Sequence, residues 1–273
     1  MKYYAALILV CLAGLAQAVD RQVPVSHPGG VARLDLGPAD APAPSVRFQG
    51  RRVLVIATGS RWQALVGIPL EAEPGWLSAE ITDDRGRQRE QPLEIEAHDY
   101  PMQHLHVKNR RHVDPDPADL ARWSRESDEQ NAAKRAWREP APKRATLRLP
   151  VDGRRSSAFG LRRTFNGKPR RPHSGLDLAV PTGTPVAAPG AGRVSLTGDY
   201  FFNGRTVFVD HGHGLISMLC HLSRVDVSVG DEVAAGDIVG RAGATGRATG
   251  PHVHWSVFLN GTAIDPDALL GGS

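Results

Sequence analysis

Short runs in which apolar and polar side chains alternate, each closed by turn-forming residues, recur through most of the sequence. Between Val46 and about Val107 they read "RRVLVIA", "WQALVGIPL", "WLSAEITDD" and "PLEIEAH", separated by turns such as "EAEPG" and "DDRGR". Period-two alternation places every second side chain on one face, so this stretch predicts a small antiparallel β domain. The Pro-, Gly- and Ala-rich residues 19 to about 45, with "GPADAPAPS", read as an irregular lead-in. The alternation stops at residues 115–139, where "DPADLARWSRESDEQNAAKRAWRE" is charged, free of glycine and opened by Asp-Pro-Ala-Asp. That is a helix with a plausible N-terminal start. From about Arg148 alternation resumes in "TPVAAPGAGRVSLTG", "RTVFVDHGHGLISMLCHLS", "GDEVAAGDIVGRAG" and "PHVHWSVFLNG". These predict a second, mostly antiparallel β domain with no long helix. The expected architecture is therefore mostly β: an N-terminal β-rich domain over 19–110, a helical connector and linker over 111–147, and a second β domain over 148–273.

The opening "MKYYAALILVCLAGLAQAVD" changes the setting. Lys2, the apolar run Ala5 to Leu15 and Ala16-Gln17-Ala18 have the layout of a secretory signal, residues 1–18, cleaved after Ala18. The run is short for a membrane span. The expectation is an exported chain, periplasmic or extracellular, with no stable membrane insertion once the signal is gone. Cleavage also removes Cys11, so Cys220 remains alone and no intramolecular disulfide forms. The formal net charge of +4 falls by one with Lys2. Basic residues concentrate in "RRTFNGKPRR", residues 162–171, read as a solvated loop. Stacking aromatics and reading helices are missing around it, which argues against nucleic acid. Beside a site, the loop offers Arg170 and Arg171 to a substrate carboxylate.

Candidate chemistry rests on the histidines, of which there are eleven. Three H-x-H pairs occur, so the motif alone decides little. His211/His213 in "DHGHG" is split by glycines that favour a turn, and His104/His106 in "QHLHV" falls in the other domain. His252/His254 in "GPHVHWSV" leads into a strand, where side chains two apart share a face. In "PHSGLDLAV", His173 and Asp177 bring an imidazole and a carboxylate close together, two ligand types that zinc accepts. In "SMLCHLS", alternation puts Met218, Cys220 and Leu222 on one apolar core face. Ser217, Leu219 and His221 then face a cleft, and Cys220 reads as a small buried hydrophobe.

"HSGLD", "HGLISMLCHL" and "GPHVHW", in this order and spacing, resemble the lysostaphin/LytM-type zinc metallopeptidases that cut peptidoglycan cross-links. The resemblance covers about residues 150–268 and implies an antiparallel β-sheet groove floored by Zn2+. It implies His173, Asp177 and His254 as metal ligands, with His221 and His252 as the non-ligand histidines of the site. Peptidoglycan stem peptides and their cross-links become the expected partners. The family often carries tyrosine two residues before the middle histidine, where this chain has Leu219. The N-terminal half is similar to the β-rich domains that precede this peptidase in some bacterial envelope proteins. Zinc activation of water explains peptide hydrolysis without a glutamate base, and no H-E-x-x-H is present. Two other readings stay open: a non-catalytic wall-binding regulator of other hydrolases, and a zinc carboxypeptidase acting on D-amino-acid peptides. The N-terminal domain or connector is a candidate self-inhibitor, with the histidines of "HLH" offering a fourth ligand.

Overall fold

The computed structural model describes residues 23–271; the signal expected over residues 1–18 lies outside them. The chain is built mostly of antiparallel strands with one long helix among the described residues. An N-terminal unit packs a five-stranded sheet against a three-stranded one. The three-stranded sheet is ordered Val31–Pro38, Arg61–Gly67, Leu54–Thr58. Leu34, Phe48, Ile68 and Leu93 fill the space between the two. Val31–Pro38 corrects the expected irregular lead-in. "VARLDL" alternates buried and exposed, and its place beside Arg61–Gly67 overrides the glycines and prolines around it.

The large sheet has eight strands. Its path runs Arg154–Ser157, Leu176–Ala179, Val253–Leu259, Leu215–Leu222, Gly204–Gly212, Gly192–Tyr200, Glu232–Val233, and Thr262–Ile264 pairs with Val253–Leu259. Leu176, Leu178, Leu219, Val253, Trp255 and Val257 project from one face into the main core. Leu54 and Leu65 of the N-terminal unit join that same core, so the two units share apolar packing. Burial at roughly 25 cal/mol per Å² of apolar surface makes such sharing a strong tie. A polar clasp adds to it. The Asn260-Gly261 hairpin turn has positive φ at both residues (42° and 75°), as a two-residue type I′ connection needs. Asn260 Oδ1 accepts from Gly67 N at 2.7 Å, while its Nδ2 donates to Gly67 O at 3.1 Å.

The helix α1, Pro117–Lys134, is capped by Asp116, whose side chain accepts from Asp119 N. It falls within the stretch expected to be helical. Its Ala133 packs against the opposite face of the large sheet, beside Met218 and Phe258. The basic stretch is a hairpin rather than a loop: Arg162–Phe165 pairs with Lys168–Arg170, and also lies parallel to Met102–Leu105. Backbone pairing across both edges orders it. Among the described residues, no helix is long and apolar enough to cross a membrane.

Candidate active site

His173 and Asp177 flank the start of Leu176–Ala179, and Asp177 pairs in register with His254 on the neighbouring strand. Register therefore puts carboxylate and imidazole on one face, opposite the core face of Leu176 and Trp255. Gly175 permits the approach. A Cβ there would lie 2.5 Å from Trp255 O and 2.8 Å from His254 Nε2. Three atoms converge as a result: His173 Nε2 is 3.0 Å from Asp177 Oδ1 and 3.0 Å from His254 Nδ1, and His254 Nδ1 is 2.8 Å from Asp177 Oδ1.

The ring nitrogens facing away are tied. His173 Nδ1 donates to Ala158 O at 2.7 Å, which leaves Nε2 with its lone pair toward Asp177. His254 Nε2 meets Ser256 Oγ at 2.8 Å. Arg163 Nη2 donates to Asp177 Oδ2 at 3.0 Å, and both side chains are largely buried. Burial pushes the Asp177 carboxyl up, but its hydrogen bonds with His173 and His254 outweigh this and hold it well below the usual carboxylate range. Burial brings the His254 imidazole down to about 4. Two imidazoles and one carboxylate, with their outer atoms already engaged, match the three-ligand donor set of a catalytic zinc centre. Among the described residues these three form the one group of His, Cys, Asp or Glu whose ligand atoms gather closely enough for a metal.

His221 and His252 stand beside this group. Their ring centroids are 4.7 Å apart, and His221 lies 6.0 Å from His254. His221 Nδ1 donates to Thr245 O at 2.8 Å, and His252 Nδ1 to Gly250 O at 2.8 Å. Each ring thus turns Nε2 toward the site, where His252 Nε2 lies 3.8 Å from Asp177 Oδ1. Burial lowers His221 to about 3, helped by the charges of His252 and His254.

The position of His221 corrects the expected alternation in Leu215–Leu222. Leu219 is fully buried in the main core against Trp255 rather than facing the cleft. Met218 lines the cleft, and Cys220 pairs with His254 on the cleft side. A register shift opposite Arg205–Val207 inserts one extra residue, and His221 takes φ 63° there. This bulge turns Cys220 and His221 to the same side. Cys220 is nonetheless fully buried, and burial raises its thiol to about 12, so it remains an inert small hydrophobe as expected.

The other H-x-H pairs serve structure. His211 is buried between Ala191 O and Ser217 Oγ, while His213 bonds Glu139 and stacks on Trp137. His104 bonds Thr164 Oγ1 and is exposed, as is His106, so the suggested fourth ligand does not come from them. Arg163, Ser256 and Thr245 were not singled out by motif. Ser256 alone left a signal, being two residues beyond His254 on the same strand face. His173, His221 and His254 line a cleft of about 1030 Å³, together with Arg247 and the α1 residues Trp123 and Gln130 among others.

The sequence profile of peptidase family M23 matches residues 171–266, and that of the M23 N-terminal domain matches residues 24–97. A crystal structure from Pseudomonas aeruginosa assigned to peptidase M23 is 46% identical, with a TM-score of 0.76 over 90% of this chain and 95% of that one. The peptidoglycan DD-endopeptidase ShyA of Vibrio cholerae is 39% identical over 125 residues, 45% of this chain and 29% of ShyA. The DD-carboxypeptidase/endopeptidase Mpg of Neisseria meningitidis is 37% identical over 111 residues, 41% of this chain and 26% of Mpg. The chain thus spans less than a third of the length of these two relatives.

Proposed function

The chain belongs to peptidase family M23, and from that premise we propose an exported, zinc-dependent peptidoglycan hydrolase that cuts peptide cross-links of the bacterial wall. The convergence of His173 Nε2, Asp177 Oδ1 and His254 Nδ1 at the floor of a large cleft carries this reading. Zinc held there would supply Lewis acidity and bring the pKa of water toward neutrality. The chain's own groups do the rest. Arg163 and Ser256 orient the carboxylate and the His254 ring. His221 and His252, each with Nδ1–H engaged by a carbonyl, present Nε2 to accept the proton of the attacking water. Once protonated, either ring donates to the oxyanion or to the departing amine. The relatives' names point to a DD bond, which here means the D-Ala to diaminopimelate link of a periplasmic wall.

A non-catalytic regulator would have no use for the complete donor set with its supporting hydrogen bonds, so the hydrolase is the preferred reading. Trimming of terminal D-amino acids is the closer competitor, and the Mpg name carries both activities. Solubilisation of purified sacculi by the zinc-loaded protein, lost in His254→Ala and Asp177→Ala, is the expected outcome. Equal activity in both variants would refute the metal-site assignment.

A regulatory reading attaches to α1. Glu126 Oε2 accepts from Phe201 N at 2.8 Å, Gln130 Oε1 accepts from Asn203 Nδ2 at 2.7 Å, and Arg122 Nη2 donates to Asp199 O at 2.9 Å. These bonds pin the helix along the cleft, on the face that bears the histidines, and support a self-inhibited state in which the connector restricts polymer access. Leu70 and Glu71 of the N-terminal unit also border the cleft, but α1 supplies more of its lining, so the connector is the element to test. A full chain carrying Glu126→Ala and Gln130→Ala is expected to digest sacculi faster; an unchanged rate rules the strap out.

A further inference from the structure

Among the described residues, the cleft holds a cation with no acid paired to it. Arg247 lies in the turn-rich segment between Ile238–Arg241 and Val253–Leu259, where its backbone N–H donates to Phe202 O at 2.8 Å. Its guanidinium carbon is 4.3 Å from the ring centroid of Phe202 and 4.7 Å from that of Phe165. Two aromatic rings hold the group in place and supply part of its electrostatic compensation. Among the described residues, its guanidinium makes no hydrogen bond or ion pair. Burial and the charges of Arg170 and Arg163 bring its pKa down to about 10, so its charged neighbours are cations too.

The other basic side chains around the cleft are mostly engaged. Arg163 bonds Asp177 and Gln103, Lys168 pairs with Asp114, and Arg170 donates to the carbonyls of Val113 and Pro169. Arg247 combines partial burial, clamping by two rings and an unused fork of N–H donors, whereas Lys134, which also lines the cleft, rests on the single ring of Phe258 and offers only an ammonium. A partly desolvated cation without a counter-ion costs free energy, part of which an incoming anion recovers. The guanidinium fork matches a carboxylate in a two-bond geometry. Position adds to the case: the same segment carries Thr245, whose carbonyl sets the His221 ring, and Arg247, His221 and His254 line one cleft.

We propose that Arg247 receives a free carboxylate of the substrate, carried by the residue flanking the scissile bond, and so selects cross-links in which that carboxylate is not amidated. This rests on the hydrolase reading and names its specificity determinant. Arg170 adds positive potential, while Arg247 makes the contact.

The test uses the zinc-loaded full chain, Arg247→Met and Arg247→Lys, with two cross-linked muropeptide dimers that differ only in amidation of that carboxylate. Met keeps an unbranched apolar stem between the two rings, and thermal melts check each fold. Wild type is expected to favour the free carboxylate by about tenfold or more in kcat/KM, the scale of one charge-assisted bond. Arg247→Met should abolish the preference through KM on the free form, leave the amidated form little changed, and Arg247→Lys should restore part of it. Equal loss on both dimers, or a preference that survives Arg247→Met, overturns the proposal. Calorimetric titration with uncleavable versions of the same two peptides separates the two claims. Tighter binding of the free carboxylate, erased by Arg247→Met, upholds Arg247 even if neither wild type nor the chain carrying Glu126→Ala and Gln130→Ala cuts either dimer, an outcome that defeats the hydrolase reading instead. Cleavage of both dimers at equal rates upholds the hydrolase and removes Arg247's role.

Discussion

Ser256 decides which nitrogen of His254 faces Asp177, and its loss should weaken metal binding without touching a proposed ligand. The hydroxyl is fully buried, with Oγ 2.8 Å from His254 Nε2. With Nε2 engaged, Nδ1 is aimed at Asp177 Oδ1 and His173 Nε2. In Ser256→Ala, Nε2 loses its partner where the ring is mostly buried, a cost of about 1–3 kcal/mol. The aligned ring state is destabilised by that amount relative to rotated alternatives. At about 1.4 kcal/mol per tenfold, zinc affinity should fall by roughly 5- to 150-fold, in line with the 10–100-fold range typical of groups that orient metal ligands. Competition for zinc against a chromophoric chelator measures this for wild type, Ser256→Ala and Ser256→Thr. Thr keeps the hydroxyl and should stay close to wild type. Wild-type zinc affinity in Ser256→Ala would refute the orienting role.

His221→Ala and His252→Ala should each keep full zinc content while kcat falls by about 10²–10⁴-fold, the usual contribution of a positioned acid or base; wild-type kcat in both would remove them from the mechanism. Gly175→Ala should abolish zinc binding, because its new methyl would sit 2.5 Å from Trp255 O; normal zinc content in a folded Gly175→Ala would contradict the close approach. His211, held neutral by burial with its pKa lowered from 6.5 to about 4, makes the native state bind fewer protons than the unfolded one. Stability should therefore decline as pH falls from about 6.5 to 4, by up to about 3 kcal/mol from this group. Denaturant titrations should show a shallower decline for His211→Gln, and identical pH slopes would contradict the assignment.

Most of the architecture was legible because alternation reports a half-buried strand directly. The runs around Val55, Leu65, Ile81 and Leu93 became strands of the N-terminal unit, and the capped, glycine-free stretch after Asp116 became α1. Val31–Pro38 was hidden by neighbouring glycines and prolines, whose local preference the adjoining strand overrides. The positions of His173, Asp177 and His254 followed from motif and register, and the structure brings those three side chains together. Faces within "SMLCHL" did not follow, because one inserted residue at a bulge inverts the alternation and leaves no mark in composition. Arg163 is the other lesson. It meets Asp177 through the fold of a hairpin, and nothing local in "RRTF" tells it from Arg162.

Mass spectrometry of cross-linked muropeptide dimers incubated with the protein tests the proposed activity at the level of the bond. Incubations with zinc, with chelator and with His254→Ala are compared. The expected result is metal-dependent conversion of dimers to monomers, with a new amine and a new carboxylate at the D-Ala to diaminopimelate link and no conversion by His254→Ala. Intact dimers after incubation with a folded, zinc-loaded protein, including the variant with Glu126→Ala and Gln130→Ala, would contradict the hydrolase reading. Loss of only a terminal residue would contradict the endopeptidase and identify a carboxypeptidase.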